Sequence, residues 1–246
     1  MSPPLIRVRD LQIGWADVVL LEAASFEVER GDVFVILGGS GCGKSTLLRH
    51  LIGLELPRAG TISIAGVGAP RLEGSAPEYG VMFQSGALFS SMTVGENVGF
   101  ALQEWTELPS DAIEAIVRAK LALVGLEGAE GRLPAELSGG MRKRAAIARA
   151  MAFEPKLLFL DEPSAGLDPV SAAELDDLII ALNRGLGLTV VMVTHELESI
   201  FKVGKSCIML DKESKSIIAR GSPLDLKAGS PDPRVRQFFN REARVR

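Results

Sequence analysis

A glycine-rich segment has the residue types and the spacing that hold a phosphate group: Gly38-Gly39-Ser40-Gly41-Cys42-Gly43-Lys44-Ser45. Its glycines allow backbone N–H groups to turn inward around phosphate oxygens, and a helix beginning near Lys44 presents its positive end to the same anion. Lys44 supplies a positive charge to the β- and γ-phosphates of a nucleotide, and the Ser45 hydroxyl can ligate Mg²⁺. We include Thr46 among the nucleotide-binding residues. A chance glycine-rich turn is the alternative, but the apolar strand before the segment and the helical pattern after it favour nucleotide binding.

A pair of carboxylates, Asp161 and Glu162, follows the apolar segment 157–160. This pattern places Asp161 at the carboxyl end of a buried strand, beside the phosphate loop. There its carboxylate can hold Mg²⁺ through water, and Glu162, which points elsewhere, is placed to polarise an attacking water. A solvated acidic pair that caps a strand is the alternative, but a phosphate loop in the same chain favours the catalytic interpretation.

Three further segments supply groups for the same chemistry. Gln84 ends an apolar strand, where its amide can contact the metal ion or the water and sense the γ-phosphate. His195 follows another apolar strand and can contact the γ-phosphate; the alternative is a structural hydrogen-bonding role. Ser138-Gly139-Gly140 opens a helix whose bare backbone N–H groups form a second anion-binding helix start. Together these residues turn a phosphate-binding loop into a predicted hydrolytic site.

Short apolar strands that alternate with helices must position these residues, which indicates an α/β fold with a largely parallel sheet. We predict strands at residues 33–37, 61–64, 80–83, 156–160 and 188–193, and helices at 44–54, 111–124 and 138–151. We predict one domain, with an α/β catalytic core at about 1–86 and 153–230, an inserted helical lobe at about 87–152, and a C-terminal tail helix within 231–246.

The composition is that of an ordinary globular protein: 246 residues, 47% hydrophobic and 24% charged, with a net charge of −4. This charge gives no global attraction to nucleic acid, and we predict no nucleic-acid partner. We expect the basic runs at Arg142-Lys143-Arg144 and in the tail after Arg234 to be solvated faces. No apolar run approaches the ~20 residues that span a bilayer. We therefore expect a cytoplasmic protein, whose membrane part, if it works at a membrane, is another chain.

The order of these motifs along residues 5–225 resembles that of the ATP-binding cassette (ABC) ATPases. The resemblance rests on the phosphate loop, Gln84, the signature LSGGM at Leu137–Met141, the strand ending at Glu162, the segment SAGLD at Ser164–Asp168, and His195. It implies an ATPase with ATP and Mg²⁺ as cofactors and the P-loop fold: a RecA-like parallel-sheet core, an N-terminal antiparallel β region and an inserted helical lobe.

The same resemblance implies a head-to-tail homodimer in which each ATP lies between the phosphate loop of one copy and the signature of the other. Ser138, Gly139 and Gly140 would then act in trans. Trp15 lies where the family carries an aromatic residue that stacks on adenine. A core or surface anchor is the alternative for this tryptophan.

Within the family, the chain is similar to the ATPases of bacterial Mla/Mce-type lipid transporters. The similarity is carried by Phe83–Val98, by Met141 in place of the commoner glutamine, and by Pro231–Phe239. It implies phospholipid transport between the inner and outer membranes of a double-membraned bacterium. The implied partners are two integral-membrane permease subunits and a periplasmic lipid-binding Mce-type protein. The chain would be held at the cytoplasmic side of the inner membrane by the permeases.

The segment Ser85–Val98 is expected to transmit the motion of the ATPase to a permease helix docked between the two lobes. Its apolar residues Leu88, Phe89 and Met92 suit a helix-binding groove, and packing at the lobe junction is the alternative. Two other functions stay open. One is an ABC transporter for amino acids, metals or another small solute. The other is a soluble ABC ATPase acting on ribosomes or DNA, although such proteins usually carry two fused cassettes or long coiled-coil insertions.

Overall fold

The computed structural model describes residues 3–15, 17–71 and 78–241. In these ranges the strands are β1 (Ile6–Trp15), β2 (Val18–Val28), β3 (Val33–Gly38), β4 (Ala59–Ile64), β5 (Gly80–Met82), β6 (Leu157–Asp161), β7 (Thr189–Val193), β8 (Ser206–Asp211) and β9 (Ser216–Gly221). The helices are α1 (Lys44–Leu51), α2 (Val94–Trp105), α3 (Ser110–Leu123), α4 (Gly139–Ala150), α5 (Pro169–Leu186), α6 (Leu197–Val203), α7 (Pro223–Gly229) and α8 (Pro233–Asn240), with a 3₁₀ turn at Pro134–Glu136.

The chain forms two compact units. The first comprises Met1–Glu73 and Thr189–Arg246, and the second comprises Gly74–Leu188. The predicted helical lobe at 87–152 falls inside the second unit, together with β6 and α5. The exact limits of the predicted core, lobe and tail stay predictions.

The first unit contains an antiparallel sheet and a set of mostly parallel strands. The antiparallel sheet has the order β2-β1-β4, with Ile6 of β1 opposite both Val28 and Ile64. The second set has the order β7-β3-β8-β9, in which only β9 is antiparallel to its neighbour. Every residue of β3 and of β7 is buried, as expected for strands covered on both faces. Because β3 and β7 are parallel, their carboxyl ends lie at the same edge.

The second unit combines the parallel pair β5–β6 with the helices α2 to α5. Met82 of β5 lies opposite Leu160 of β6, so the residues that follow both strands lie at one edge. Gly99 allows α2 to approach α3, because a Cβ atom there would lie 3.3 Å from the side chains of Ile113 and Val117. The interior of this unit therefore depends on small residues at helix crossings as well as on large apolar ones.

The predicted tail helix is present as α8, which belongs to the first unit. Phe239 is buried, and its ring centroid lies 5.6 Å from that of Phe201 on α6. Arg234 donates to the buried carboxylate of Asp211 at 2.8 Å and to Asp232 at 2.7 Å. The start of the basic tail therefore forms ion pairs with the first unit and is not a solvated face. The rest of the predicted tail, residues 242–246, lies outside the described residues.

Across the described ranges, no helix has both the length and the apolar composition that crossing a bilayer requires.

Candidate active site

The phosphate loop connects β3 to α1 in the first unit. Its backbone can be formed only with glycine at its first position, since a Cβ atom on Gly38 would lie 2.5 Å from Cys42 Sγ and 2.6 Å from the carbonyl oxygen of Leu210. Gly43, which caps α1, has a φ of 98°. Residues other than glycine rarely adopt this left-handed backbone conformation. The loop residues between them, Gly39, Ser40 and Gly41, are exposed. The result is an open loop that leads into the positive end of a helix.

Lys44 places its ammonium group over this loop. Its Nζ donates to the carbonyl oxygen of Gly38 at 2.9 Å and to that of Gly39 at 3.2 Å. Ser45 is exposed on the first turn of α1, whereas Thr46 is buried. The loop therefore presents a charged donor and a hydroxyl group on the side that a phosphate would occupy.

Cys42 contributes to the loop through packing and its backbone. The side chain is buried, and burial raises the pKa of its thiol, with the nearby charge of Lys44 acting in the opposite direction. A neutral buried thiol is a weak nucleophile. Any nucleotide contact at this position is therefore made by its backbone.

Trp15 lies at the end of β1, opposite Val18 at the start of β2. The tryptophan is 54% exposed and Val18 is 50% exposed, which excludes a core anchor as the role of Trp15. Beside this hairpin a cavity of about 320 Å³ is lined by the beginning of β2, by Gly41 and Cys42 of the phosphate loop, and by Lys212. An apolar strand start next to a phosphate loop is a suitable surface for a nucleobase.

His195 follows the carboxyl end of β7. Ile36 of β3 pairs with Val193 of β7, so His195 and the phosphate loop lie beyond the same edge of the parallel strands. The imidazole is exposed, and its Nε2 lies 3.5 Å from Glu196 Oε1. The exposed imidazole therefore lies at the same strand edge as the phosphate loop.

Gln84, Asp161 and Glu162 lie in the second unit, where they follow the paired strands β5 and β6. Gln84 is exposed, Asp161 is half-buried, and Glu162 is 8% exposed. Glu162 has a φ of 46°, so its backbone adopts the left-handed conformation that is unfavourable for a residue with a side chain. Strained backbone of this kind persists only where surrounding contacts hold it, and it is concentrated at functional sites.

The signature segment also lies in the second unit, at the beginning of α4. Ser138 caps the helix by accepting a hydrogen bond from Met141 N at 3.2 Å. Gly139 and Gly140 are half-buried, and a Cβ atom on Gly139 would lie 3.2 Å from Leu167 Cδ2. Ser138 caps the N–H group of Met141, while the N–H groups of Gly139 and Gly140 have no partner within the helix, an arrangement that suits an anion.

A family model described as ABC transporter matches residues 21–165. This match spans more than half of the chain. The chain belongs to the ABC transporter ATP-binding family. It is the ATP-binding ATPase subunit of an ABC transporter, in which ATP hydrolysis is coupled to transport. The predicted family and fold class are thereby confirmed.

Two curated relatives of this ABC ATPase have about the same identity to it but are named for different functions. The intermembrane phospholipid transport system ATP-binding protein MlaF of Escherichia coli K12 is 41% identical over 241 residues, which cover 96% of this chain and 88% of the relative. A probable ribonucleotide transport ATP-binding protein, mkl of Mycobacterium tuberculosis, is 42% identical over 233 residues, which cover 92% of this chain and 62% of the relative.

Two solved structures show the fold of the ABC ATPase. The cbiO1 subunit of the cbiONQ ABC transporter complex from Clostridium perfringens superposes with a TM-score of 0.81 at 30% identity, covering 92% of each chain. A dimeric ATP-binding cassette in a post-hydrolysis state with ADP and Pi superposes with a TM-score of 0.78 at 25% identity, covering 88% of this chain and 98% of the other.

Sequence reasoning missed a buried lysine in this ABC ATPase. Lys143 was expected to lie on a solvated basic face, but only 7% of it is exposed, so that expectation was wrong. The period of α4 explains the difference, because Lys143 lies on the same helix face as the buried Ile147, whereas Arg142 points to solvent. Its Nζ donates to the carbonyl oxygen of Glu162 at 3.3 Å and, at a shorter distance, to that of Gln84.

Two further residues of the ABC ATPase brace the segment that follows Gln84. Arg149 of α4 donates to the carbonyl oxygen of Gly86 at 3.0 Å and also to that of Ala87. Asn97 of α2 is fully buried, and its side chain binds both the N–H and the carbonyl group of Phe89, at 2.7 and 3.0 Å. A buried asparagine with backbone partners holds the conformation of the loop next to it. In the sequence, the sign of this role is a polar residue on the otherwise apolar face of a helix.

Proposed function

We propose that this ABC ATPase energises phospholipid transport between the inner and outer membranes of a double-membraned bacterium, as in Mla/Mce-type systems. The single observation that carries the proposal is its similarity to the intermembrane phospholipid transport protein MlaF over nearly the whole length of both chains. The signature ending in Met141 and the segment Phe83–Val98 support the same assignment.

In the proposed site, the phosphate loop binds ATP through Gly38 to Thr46, and Trp15 stacks on the adenine ring. The exposed indole and the cavity beside the hairpin support this placement. Lys44 provides positive charge to the phosphates, and His195 contacts the γ-phosphate from the same edge. These groups stabilise negative charge that spreads over the transferred phosphoryl group.

The donor set of the proposed site fits Mg²⁺, which takes oxygen ligands and relies on one or two protein side chains besides the nucleotide phosphates. Ser45 offers a hydroxyl oxygen, Gln84 an amide oxygen and Asp161 a carboxylate oxygen. When bound, the ion neutralises charge on the phosphates. Glu162 directly follows Asp161, and we assign it to orienting and polarising the attacking water.

We infer that two copies of the chain form a head-to-tail homodimer with ATP at each interface. The exposed Ser138 at the start of α4, followed by backbone N–H groups that have no partner within the helix, supports a phosphate contact in trans by Ser138, Gly139 and Gly140. A related cassette has been solved as a dimer with ADP and Pi, which supports the same arrangement.

The proposed complex contains two integral-membrane permease subunits and a periplasmic lipid-binding Mce-type protein. The chain would sit at the cytoplasmic side of the inner membrane, held by the permeases. The segment Ser85–Val98 is the proposed permease contact. Phe89 is 48% exposed at this surface, although its ring also packs against Phe100 with centroids 5.3 Å apart.

Replacing Leu88 and Phe89 by serine is expected to abolish transport by the assembled complex while the isolated chain keeps its ATPase activity. The backbone of this segment is held by Asn97 and Arg149, so the change removes apolar surface without removing the bonds that shape the loop. Lipid transfer by the reconstituted complex and ATP turnover by the purified chain would be measured in parallel. Leu108→Ser is a matched control, since Leu108 is also exposed but lies before α3, outside this segment. Equal losses of both activities would instead favour packing as the role of the two residues.

A second candidate function is ribonucleotide transport, favoured by the equal identity to the mycobacterial protein. Purification of the native complex separates the candidates. Copurified membrane subunits with bound phospholipid would support the lipid proposal, and stimulation of ATP turnover by a non-hydrolysed ribonucleotide would support the second candidate. Recovery with ribosomes or DNA and without membrane subunits would contradict both.

A further inference from the structure

The buried ammonium group of Lys143 joins two backbone segments that are distant in the sequence. One segment follows β5 and is bonded through the carbonyl group of Gln84, and the other follows β6 and is bonded through the carbonyl group of Glu162. Both segments carry residues of the proposed hydrolytic site. We propose that Lys143 is a positioning residue for ATP hydrolysis, which fixes the backbone of Gln84 relative to that of Glu162. This inference rests on the catalytic role proposed for Glu162.

The backbone at Glu162 needs such support. Its φ of 46° is unfavourable for a residue with a Cβ atom, and its carbonyl oxygen accepts hydrogen bonds from Ala165 N at 3.2 Å and from Lys143. Removing the lysine therefore removes one of the hydrogen bonds that hold this conformation. The direction in which the carboxylate points depends directly on that backbone, because the Cα–Cβ bond rotates with φ.

The segment after Gln84 is held by the same helix. Ala87 has a φ of 49°, also left-handed, and Arg149 of α4 donates to its carbonyl oxygen as well as to that of Gly86. Ala146, between the two basic residues on α4, lies beside Gly86: a Cβ atom on this glycine would be in van der Waals contact with the Ala146 Cβ, at 3.5 Å. One face of α4 therefore supports both strained turns, and Lys143 is the member that reaches both strand ends.

Burying a positive charge costs free energy that an apolar residue at this position would avoid. Burial lowers the pKa of Lys143, while the negative charges of Glu162 and Asp161 oppose this lowering. Maintaining a buried charge that binds backbone carbonyl groups at two strand ends is a costly way to pack a helix. The arrangement is explained if the orientation of the two segments matters for the chemistry.

The test is the steady-state ATPase activity of the full chain with Lys143→Met, Lys143→Gln and Lys143→Arg. We expect kcat to fall roughly tenfold to a hundredfold in Lys143→Met, because small misplacements of catalytic groups have effects of this size. The affinity for a fluorescent ATP analogue should stay unchanged, since the phosphate loop is untouched. Lys143→Gln and Lys143→Arg keep N–H donors and should recover part of the lost turnover.

Lys120→Met is the matched control, because Lys120 is equally buried in the same unit but pairs with Glu154. If Lys143→Met is too unstable to assay, Lys143→Leu, which also lacks a donor, replaces it, with thermal unfolding measured for both. Normal kcat in Lys143→Met, or in Lys143→Leu where it stands in, would overturn the inference. A fall in kcat that Lys120→Met matches at equal loss of thermal stability would also overturn it.

A double-variant cycle with Glu162→Gln separates this inference from the catalytic role on which it rests. If Lys143 acts through Glu162, the double variant should turn over ATP no more slowly than Glu162→Gln alone. Additive losses would contradict the positioning role. Near-normal turnover in Glu162→Gln itself would remove the catalytic role of Glu162, whereas an inactive Glu162→Gln beside a fully active Lys143→Met would remove only the role of Lys143.

Discussion

Replacement of Glu162 by glutamine is expected to stop ATP hydrolysis and to trap the protein with ATP bound as a dimer. The amide has the same size as the carboxylate, so the packing around this buried side chain and the backbone bond from Lys143 are kept. What is lost is the negative charge that polarises water, and a general base contributes about 10²–10⁴-fold to the rate. Single-turnover hydrolysis of radiolabelled ATP, together with size-exclusion chromatography in ATP, measures both consequences.

Glu154→Gln provides the control for this experiment. Glu154 also has a left-handed backbone, with a φ of 51°, and it also interacts with a buried lysine, Lys120. Glu154→Gln removes the same charge from a residue with the same left-handed backbone conformation, and it leaves the residues that follow β6 unchanged. Turnover should stay near normal in Glu154→Gln. Near-normal turnover in Glu162→Gln would remove Glu162 from the catalytic role, and a monomeric variant in ATP would contradict the proposed dimer.

The local patterns that surround the predicted strands account for the success of the fold prediction. The apolar runs before Gly38, Asp161 and His195 are buried strands in the structure, because continuous apolar runs of this length bury both faces. The long helix α5 was not predicted, although Asp168 caps it with bonds to Val170 N and Ser171 N, both at 3.0 Å. The signal for this helix in the sequence is the capping aspartate followed by a proline at the first helical position.

Contacts that cross from one segment to another could not be predicted in the same way. The sequence shows Lys143 between two arginines, and nothing in that run distinguishes the buried residue from its exposed neighbour Arg142. The distinction depends on which face of α4 meets the ends of β5 and β6. The phosphate loop behaves differently, because its chemistry lies within a few consecutive residues and each glycine requirement is local.

Replacement of Lys44 by alanine is expected to weaken nucleotide binding or the transition state for hydrolysis, without unfolding the chain. Lys44 lies at the start of α1 and is half-buried, and alanine is compatible with the helix. The loss removes the positive charge held over the carbonyl groups of Gly38 and Gly39. Removal of one preorganised donor to a developing charge costs about 10²–10³-fold in rate. ATP affinity by calorimetry and steady-state turnover would separate the two effects.

Lys205→Ala supplies a matched comparison in the same unit. Lys205 also donates its Nζ to a backbone carbonyl, that of Gly31 at 2.9 Å, but Gly31 precedes β3 and therefore lies at the opposite end of the strand from the phosphate loop. Removing this lysine changes the net charge by the same amount and breaks the same kind of bond. If general charge attraction held the nucleotide, both variants would lose affinity equally. A loss confined to Lys44→Ala would place the effect in the loop itself, and unchanged affinity and turnover in that variant would contradict the role of Lys44.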